Sequence, residues 1–133
     1  MDKTKKKQAV KEIKEKFEKS SVVILTEYKG LTMEQLSILR KKLRPIDAEY
    51  RVLKNTLVNI AVKDKAFEGI DKLLSGPTAV LFGYKDQVMP AKVLAEFIKS
   101  NEKLGIKGGL LDGKMVDSKV IIMLSKLPSR EVL

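Results

Sequence analysis

Three groups of basic and hydrogen-bonding side chains in the first half of the chain have the chemistry of phosphate binding. Lysine and arginine supply positive charge, while asparagine, threonine and the backbone N–H groups at a helix start supply hydrogen-bond donors. The groups are a lysine-rich start, a Lys-Gly-Leu-Thr loop and a polar junction that follows a strand pattern. Their members are Lys3, Lys5, Lys6, Lys7 and Lys11, then Lys29, Gly30, Leu31 and Thr32, and finally Arg51, Lys54, Asn55 and Thr56.

The distribution of charge favours a polyanionic partner. The chain has 27 Lys plus Arg against 17 Asp plus Glu, which gives a net charge of +10. Residues 1–65 hold 17 basic and 9 acidic residues, net +8, whereas the remaining residues hold 10 and 8, net +2. Because the excess lies in one half of the chain, we expect an electrostatic footprint on one side of the molecule.

The composition argues against most enzyme and membrane classes. Cysteine and histidine are absent, so thiolate chemistry, Ser-His and Cys-His pairs and most zinc sites are excluded. No apolar run approaches the roughly 18 to 20 residues of a membrane span, and the N-terminus lacks the apolar core of a secretory signal. We expect a cytoplasmic protein that uses no membrane, cofactor or metal.

The hydrophobic patterns predict a single α/β domain with a mixed sheet of about four to five strands flanked by helices. Residues 3–20 have the apolar spacing of a helix, and the β-branched run that begins at Val22 predicts a buried strand. The next helix begins with a capping box of Thr32 and Gln35 and ends near Arg44, because a residue before proline disfavours helical geometry.

The polar junction joins a strand pattern to a helix pattern. The alternation over residues 48–53 predicts a strand with Tyr50 on one face and Glu49 and Arg51 on the other. Asn55 is a good cap for the helix that follows, and the positive end of a helix dipole favours an anion. We therefore predict that a phosphate lies against this junction.

The second half of the chain predicts the rest of the sheet and two further helices. The run AVLFGY predicts a strand, and a helix is expected over residues 86–104, with Gly105 as its stop. An Asp-Gly pair at residue 112 predicts a hairpin, followed by a final helix capped by Asp117 or Ser118.

Each basic group also has a purely structural explanation. The lysine-rich start fits a solvated helix end, the Lys-Gly-Leu-Thr loop fits a plain capping box, and Asn55 fits a helix cap alone. Their occurrence within one basic half favours a phosphate-binding face if they converge in space. With no Trp and 5% aromatics, recognition of a structured RNA by shape and backbone contacts is favoured over stacking on single strands.

Two other functions compete with specific RNA binding. A non-specific nucleic-acid binder would differ only in the ratio of its affinities for specific and other targets. A metal-dependent nucleic-acid-processing enzyme would need converging carboxylates, and Asp112 and Asp117 flank a short predicted strand. A hairpin turn and a helix cap explain these two residues without a metal.

Three motifs, in this order and spacing, resemble a family of ribosomal proteins. YKGLTMEQLSILRKKLR, RVLKNTL and SGPT are similar to the bacterial protein at the base of the large-subunit stalk, tenth in the conventional large-subunit numbering. The resemblance covers residues 1–133. It implies an rRNA-binding α/β domain that contacts the GTPase-associated region of 23S rRNA beside another stalk-base protein, in a structural and recruiting role. It also implies that the three basic groups, together with Asn59 and Lys63, face the rRNA.

The family resemblance also carries an expectation about the C-terminus. Family members continue into a long C-terminal helix that holds dimers of the acidic stalk protein, which recruit translation factors. This sequence stops at LPSREVL, where such a helix would only begin. We expect a truncated chain that binds rRNA without holding the stalk dimers, and a stable complex with those dimers in size-exclusion chromatography would contradict this expectation.

Overall fold

Five helices and five strands make up the described part of the chain. The computed structural model describes residues 3–28, 30–62 and 78–127. The helices are α1 (Lys3–Lys19), α2 (Met33–Leu43), α3 (Asn55–Val62), α4 (Val88–Ser100) and α5 (Ser118–Ser125). The strands are β1 (Val22–Glu27), β2 (Ala48–Val52), β3 (Ala79–Gly83), β4 (Gly105–Leu111) and β5 (Lys114–Asp117). A short 3-10 turn, Arg44–Ile46, connects α2 to β2.

The five strands form one sheet in the order β2-β3-β1-β4-β5. The prediction of a single α/β domain with four to five strands is confirmed. The strand directions depart from the expected mixed sheet, because every neighbouring pair of described strands is antiparallel. The reason is topological: β1 and β2 are parallel but β3 lies between them, and β3 and β4 are parallel but β1 lies between them. In the unit β1-α2-β2 the two strands are separated by β3, and in the unit β3-α4-β4 they are separated by β1.

Helices cover both faces of the sheet. Val22 and Ile24 of β1 belong to a core with α2, α4 and α5, whereas Val23 and Leu25 belong to a second core with α1 and α3. A strand that is buried on both faces needs apolar residues at every position, which explains the continuous run in β1.

The fourth helix is shorter than the sequence predicted. Both carboxylate oxygens of Asp86 accept backbone N–H groups, from Val88 at 3.0 Å and from Met89 at 3.3 Å, so Asp86 precedes the helix. At the other end Asn101 leaves helical geometry and its Nδ2 donates to Phe97 O. The helix therefore ends at Ser100, and Gly105 begins β4 instead of ending α4.

The outer edge of β2 is partly closed by an arginine. Backbone hydrogen bonds join Tyr84 N to Asp47 O and Leu53 N to Thr78 O. The backbone N–H and C=O groups of the odd-numbered residues therefore point toward β3, and those of Tyr50 point away from it. Arg40, in the last turn of α2, donates from Nε to Tyr50 O at 3.1 Å. One outward carbonyl of this edge strand thus has a charged donor.

Candidate nucleic-acid interface

The first half of α1 presents a row of exposed lysines. Between Lys3 and Lys11 the helix has five lysines and no acidic residue. Lysines of α1 line a groove of about 490 Å³ that also contacts Ile60 of α3. The lining residues are Lys3, Lys6, Lys7, Val10, Lys11, Lys14 and Ile60. Lys14 was missing from the predicted set, although its spacing from Lys7 and Lys11 places it on the same helix face.

Packing of its second half orients α1. Ile13 and Phe17 are buried, and the Phe17 ring meets the edge of Phe82 on β3 with 5.3 Å between ring centroids. The helix ends at Lys19 and β1 begins at Val22, so the two elements run in opposite directions. The lysine-rich start of α1 therefore lies toward the end of the sheet at which β1 finishes.

The start of α2 lies at this same end of the sheet. The predicted capping box is confirmed: Gln35 N donates to Thr32 Oγ1 at 3.1 Å, and Thr32 N donates to Gln35 Oε1 at 2.9 Å. Gly30 has φ +90°, and a Cβ at this position would lie 2.8 Å from the Lys103 side chain. Leu31 packs against the core, which leaves Gly30 and Thr32 at the surface; Lys29 lies outside the described residues.

The start of α3 contains residues of the third basic group, and its capping residue differs from the predicted Asn55. The Lys54 carbonyl accepts both Leu57 N and Val58 N at 3.1 Å, and the helix begins at Asn55. Lys54 thus occupies the capping position, because the chain enters the helix one residue earlier than expected. Lys54, Thr56 and Asn59 are exposed and Asn55 is half-buried, while Lys63 lies outside the described residues.

A cavity of about 580 Å³ lies between the strand ends and the start of α3. Its lining residues are Tyr28, Val52, Leu53, Lys54, Asn55, Thr56 and Thr78. Sequence reasoning placed Lys54, Asn55 and Thr56 together, but gave no reason to bring Tyr28 and Thr78 beside them.

Lys107 reaches this region from β4. The pairing of β1 with β4 shifts between Leu25, opposite Gly108, and Thr26, opposite Ile106, so Lys107 is the extra residue of an irregularity. Such bulges redirect side chains, and Lys107 Nζ donates to Thr78 Oγ1 at 2.9 Å. Burial lowers the pKa of Lys107, while the charge of Glu27 opposes this shift.

Arg51 belongs to a different environment from Lys54. Its Nη1 lies 3.1 Å from Glu49 Oε2 and 3.6 Å from Glu12 Oε1. The Glu49 carboxylate also accepts the Lys16 ammonium and, at 2.7 Å, the Tyr84 hydroxyl. The prediction that Glu49 and Arg51 share one strand face is confirmed, but two carboxylates offset the Arg51 charge.

The lysines near the start of α1 and the start of α3 have no such partners. Within the part of the chain that the structure describes, no ion pair involves Lys3, Lys6, Lys7, Lys11 or Lys54, whereas Lys16, Arg51 and Lys85 are paired. Among the described residues, no carboxylate within ion-pair distance offsets the charge of these lysines.

Comparison with known proteins decides the family. The family model described as ribosomal protein L10 matches residues 1–99. The chain belongs to the ribosomal protein L10 family. The match spans all three basic groups, and the predicted resemblance to the tenth large-subunit protein is confirmed.

Individual relatives cover nearly the whole chain. The large ribosomal subunit protein uL10 of Micrococcus luteus is 49% identical over 128 residues, 96% of this chain and 73% of the relative. The same-named protein of Rhodospirillum rubrum is 44% identical over 133 residues, 100% of this chain and 77% of the relative. That of Clostridium tetani is 44% identical over 128 residues, 96% and 74% respectively.

The carboxylates considered for a metal have structural positions in this L10-family chain. Asp112 has φ 50° in the turn between β4 and β5, and Asp117 caps α5 by accepting Val120 N at 3.1 Å. No group of three or more candidate ligands that could hold a metal ion occurs among the residues described. Likewise, none of the described helices combines the length and the apolar character needed to cross a membrane.

Proposed function

We propose that this chain is a structural component of the large ribosomal subunit that binds 23S rRNA at the GTPase-associated region. In this proposal it lies at the base of the stalk, beside another stalk-base protein, in the cytoplasm and without catalytic activity. Membership in the ribosomal protein L10 family supports the ribosomal assignment. The observation that carries the RNA-binding assignment is the set of lysines along the first half of α1 and at the start of α3 that form no ion pair with any described residue.

The physical basis of binding is neutralisation of phosphates. Each lysine that contacts a phosphate releases condensed counterions, which adds affinity that falls as salt rises. The Lys-lined groove between α1 and α3 offers several such contacts along one surface. Exposed Lys54 and Thr56 add donors at the start of α3, beside its first backbone N–H groups.

The predicted residues contribute unequally in this proposal. The lysines at Lys3, Lys6, Lys7 and Lys11 supply most of the charge, and Gly30 and Thr32 let the start of α2 approach the RNA. Arg51 contributes less because Glu12 and Glu49 already share its charge. Lys5, Lys29 and Asn55 stay predictions from the sequence. Asn59, Lys63 and the expectation about the stalk dimers stay predictions from the family resemblance.

The test measures affinity and specificity together. Fluorescence anisotropy should compare a labelled stalk-base segment of 23S rRNA with a duplex of equal length, each at several salt concentrations. We expect a preference for the segment of about a hundredfold or more. Lys54→Ala combined with Thr56→Ala should reduce this preference by at least tenfold.

A matched control removes the same two chemical groups elsewhere. Ser37→Ala with Lys41→Ala deletes one hydroxyl and one ammonium from exposed positions of α2, and it should leave the preference unchanged. Equal affinity for both RNAs, with one steep salt slope and no response to either double variant, would instead indicate a non-specific polyanion binder.

A further inference from the structure

The cavity beside the start of α3 has an aromatic and apolar wall that phosphate binding does not explain. Tyr28 is half-buried and packs against the core, which holds its ring in place. Val52 is an apolar residue on the same cavity, and its exposed fraction is 39%. A phosphate gains nothing from such a wall, because it is charged and strongly hydrated.

The rim of the same cavity carries donors and positive charge. Lys54, Thr56 and Thr78 are among its lining residues, and Lys107 Nζ donates to Thr78 Oγ1. The cavity therefore combines a flat apolar surface with polar groups at its edge, and it adjoins a strongly basic surface. Its volume of about 580 Å³ lies within the roughly 300–1,000 Å³ of small-molecule sites.

An unpaired nucleobase fits this combination. A base has an apolar face that stacks on aromatic side chains and a polar edge that takes hydrogen bonds, and proteins read RNA sequence mostly through such splayed bases. The neighbouring lysines would hold the phosphates on either side of the base. Composition alone argued against stacking, but a single well-placed tyrosine is enough for one base.

We propose that this cavity accepts one unpaired base of the bound RNA, with Tyr28 as the stacking surface and Val52 as the opposing apolar contact. The proposal rests on the RNA-binding function above and deepens it, because it adds a readout of base identity to contacts that are otherwise made with the backbone. Thr56, at the exposed start of α3, would then face the polar edge of the base.

Substitution of Tyr28 tests the stacking surface. Tyr28→Leu keeps the apolar bulk and removes the ring, and it should weaken binding of the rRNA segment about tenfold. The salt slope should not change, because no charge is lost. Tyr28→Phe should stay within about twofold of the natural chain. Tyr84→Leu, a half-buried tyrosine at the opposite end of the sheet, serves as the matched control and should not alter affinity.

Removal of the base from the RNA provides the decisive second measurement. Unpaired nucleotides of the segment should be replaced one at a time by abasic residues. At one position, the abasic RNA should bind the natural chain with about tenfold lower affinity than the intact RNA. The same abasic RNA should bind Tyr28→Leu no more weakly than the intact RNA does. Val52→Ser, at an exposed position, should lower the affinity for the rRNA segment about threefold. It replaces Tyr28→Leu in this experiment if circular dichroism shows that Tyr28→Leu is unfolded.

The outcomes separate this proposal from the proposed function. Additive losses at every abasic position, or a folded Tyr28→Leu that binds like the natural chain, would overturn the base pocket. The same measurements on an unrelated hairpin RNA of equal length address the function. Suppose that the chain binds both RNAs with equal affinity and that Tyr28→Leu weakens binding of each. This result would overturn the ribosomal target and uphold the pocket.

Discussion

The two halves of α1 use the same residue type for different purposes. Between Lys3 and Lys11 the lysines are exposed and have no ion-pair partner among the described residues, and no side chain of this half is fully buried. From Glu12 to Lys19 the helix buries Ile13 and Phe17, and Lys16 joins the Glu49 carboxylate.

This difference shows that charge count alone does not identify a binding surface. The second half of α1 attaches the helix to the sheet through a buried stripe and a network of ion pairs. The first half continues from that attachment with lysines that form no ion pair with any described residue. A residue's neighbours, rather than its type, decide whether a lysine stabilises the fold or remains available to an anion.

The largest expected effect concerns the attached half. Phe17→Ala should lower the free energy of unfolding by about 3–5 kcal/mol, because it removes a buried ring that contacts Phe82. Val10→Ala, in the first half and only half-buried, should cost about 1 kcal/mol. Urea denaturation measures both, and equal losses would contradict the division of α1 into two halves.

The second prediction concerns the lysines of the first half. Replacing Lys3, Lys6, Lys7 and Lys11 together by alanine should weaken RNA binding about a hundredfold at low salt. The slope of log affinity against log salt should become shallower by roughly 3, because each phosphate contact contributes about 0.7–0.9. Anisotropy titrations at several salt concentrations measure both quantities.

A charge-matched control belongs to this second prediction. Alanine at the exposed lysines Lys41, Lys42, Lys114 and Lys119 removes the same charge from other surfaces. This variant should keep most of the affinity and most of the salt slope. Equal losses in the two fourfold variants would mean that only net charge matters.

The third prediction concerns Glu49 and has a pH dependence. Burial acts to raise the pKa of Glu49, but hydrogen bonds from Lys16, Tyr84 and Arg51 hold it below its ordinary value. Because the folded-state pKa is lowered, this contribution to stability is present above pH 4.5, the ordinary value, and is lost as the pH falls below it. Glu49→Gln should cost about 1–2 kcal/mol at pH 7.

Thermal unfolding of both proteins from pH 7 to pH 3 measures this effect. The difference between the natural chain and Glu49→Gln should shrink as the pH falls. A difference that stays constant over this range would show that the Glu49 charge does not hold α1. RNA affinity at pH 7, below the unfolding temperature, should change less than threefold.

The smallest expected effect concerns Tyr84. Tyr84→Phe removes the hydroxyl that donates to Glu49 Oε1 and should lower the free energy of unfolding by about 1 kcal/mol. Burial and the nearby Glu49 charge raise the pKa of Tyr84 above its ordinary value of 10.0, so its contribution is present below pH 10 and lost as the pH rises further. The free energies of unfolding of the natural chain and of Tyr84→Phe should therefore approach each other above pH 10, which alkaline denaturation measures. An unchanged difference would argue against this hydrogen bond.

Local features of the fold were predictable because their physical causes lie close together in sequence. The capping box joins Thr32 and Gln35, three residues apart, and Asp117 bonds the N–H of Val120 at the same spacing. The two faces of β2 follow from simple alternation. The basic groups were likewise visible, since each is a short run of lysines or donors.

The remaining features depend on contacts between distant residues. Lys16 meets Glu49 across 33 positions and Tyr84 meets Glu49 across 35, so no local pattern separates Arg51 from Lys54. The order of the strands is also non-local, which is why the antiparallel sheet and the place of Tyr28 beside the start of α3 required the structure. The cap of α3 is Lys54 and not Asn55, because the helix begins one residue earlier after the end of β2 than the sequence predicted.

The arginine at the outer edge of β2 bears on how the chain associates with other copies of itself. A ribosomal protein is synthesised apart from its site of assembly, and an open strand edge is a template for pairing with a second copy. An incoming strand would need the Tyr50 carbonyl, which Arg40 already occupies, and would meet the charged Glu49 and Arg51 on the same strand. The Arg40 hydrogen bond therefore makes this strand edge a poorer template for pairing with a second copy.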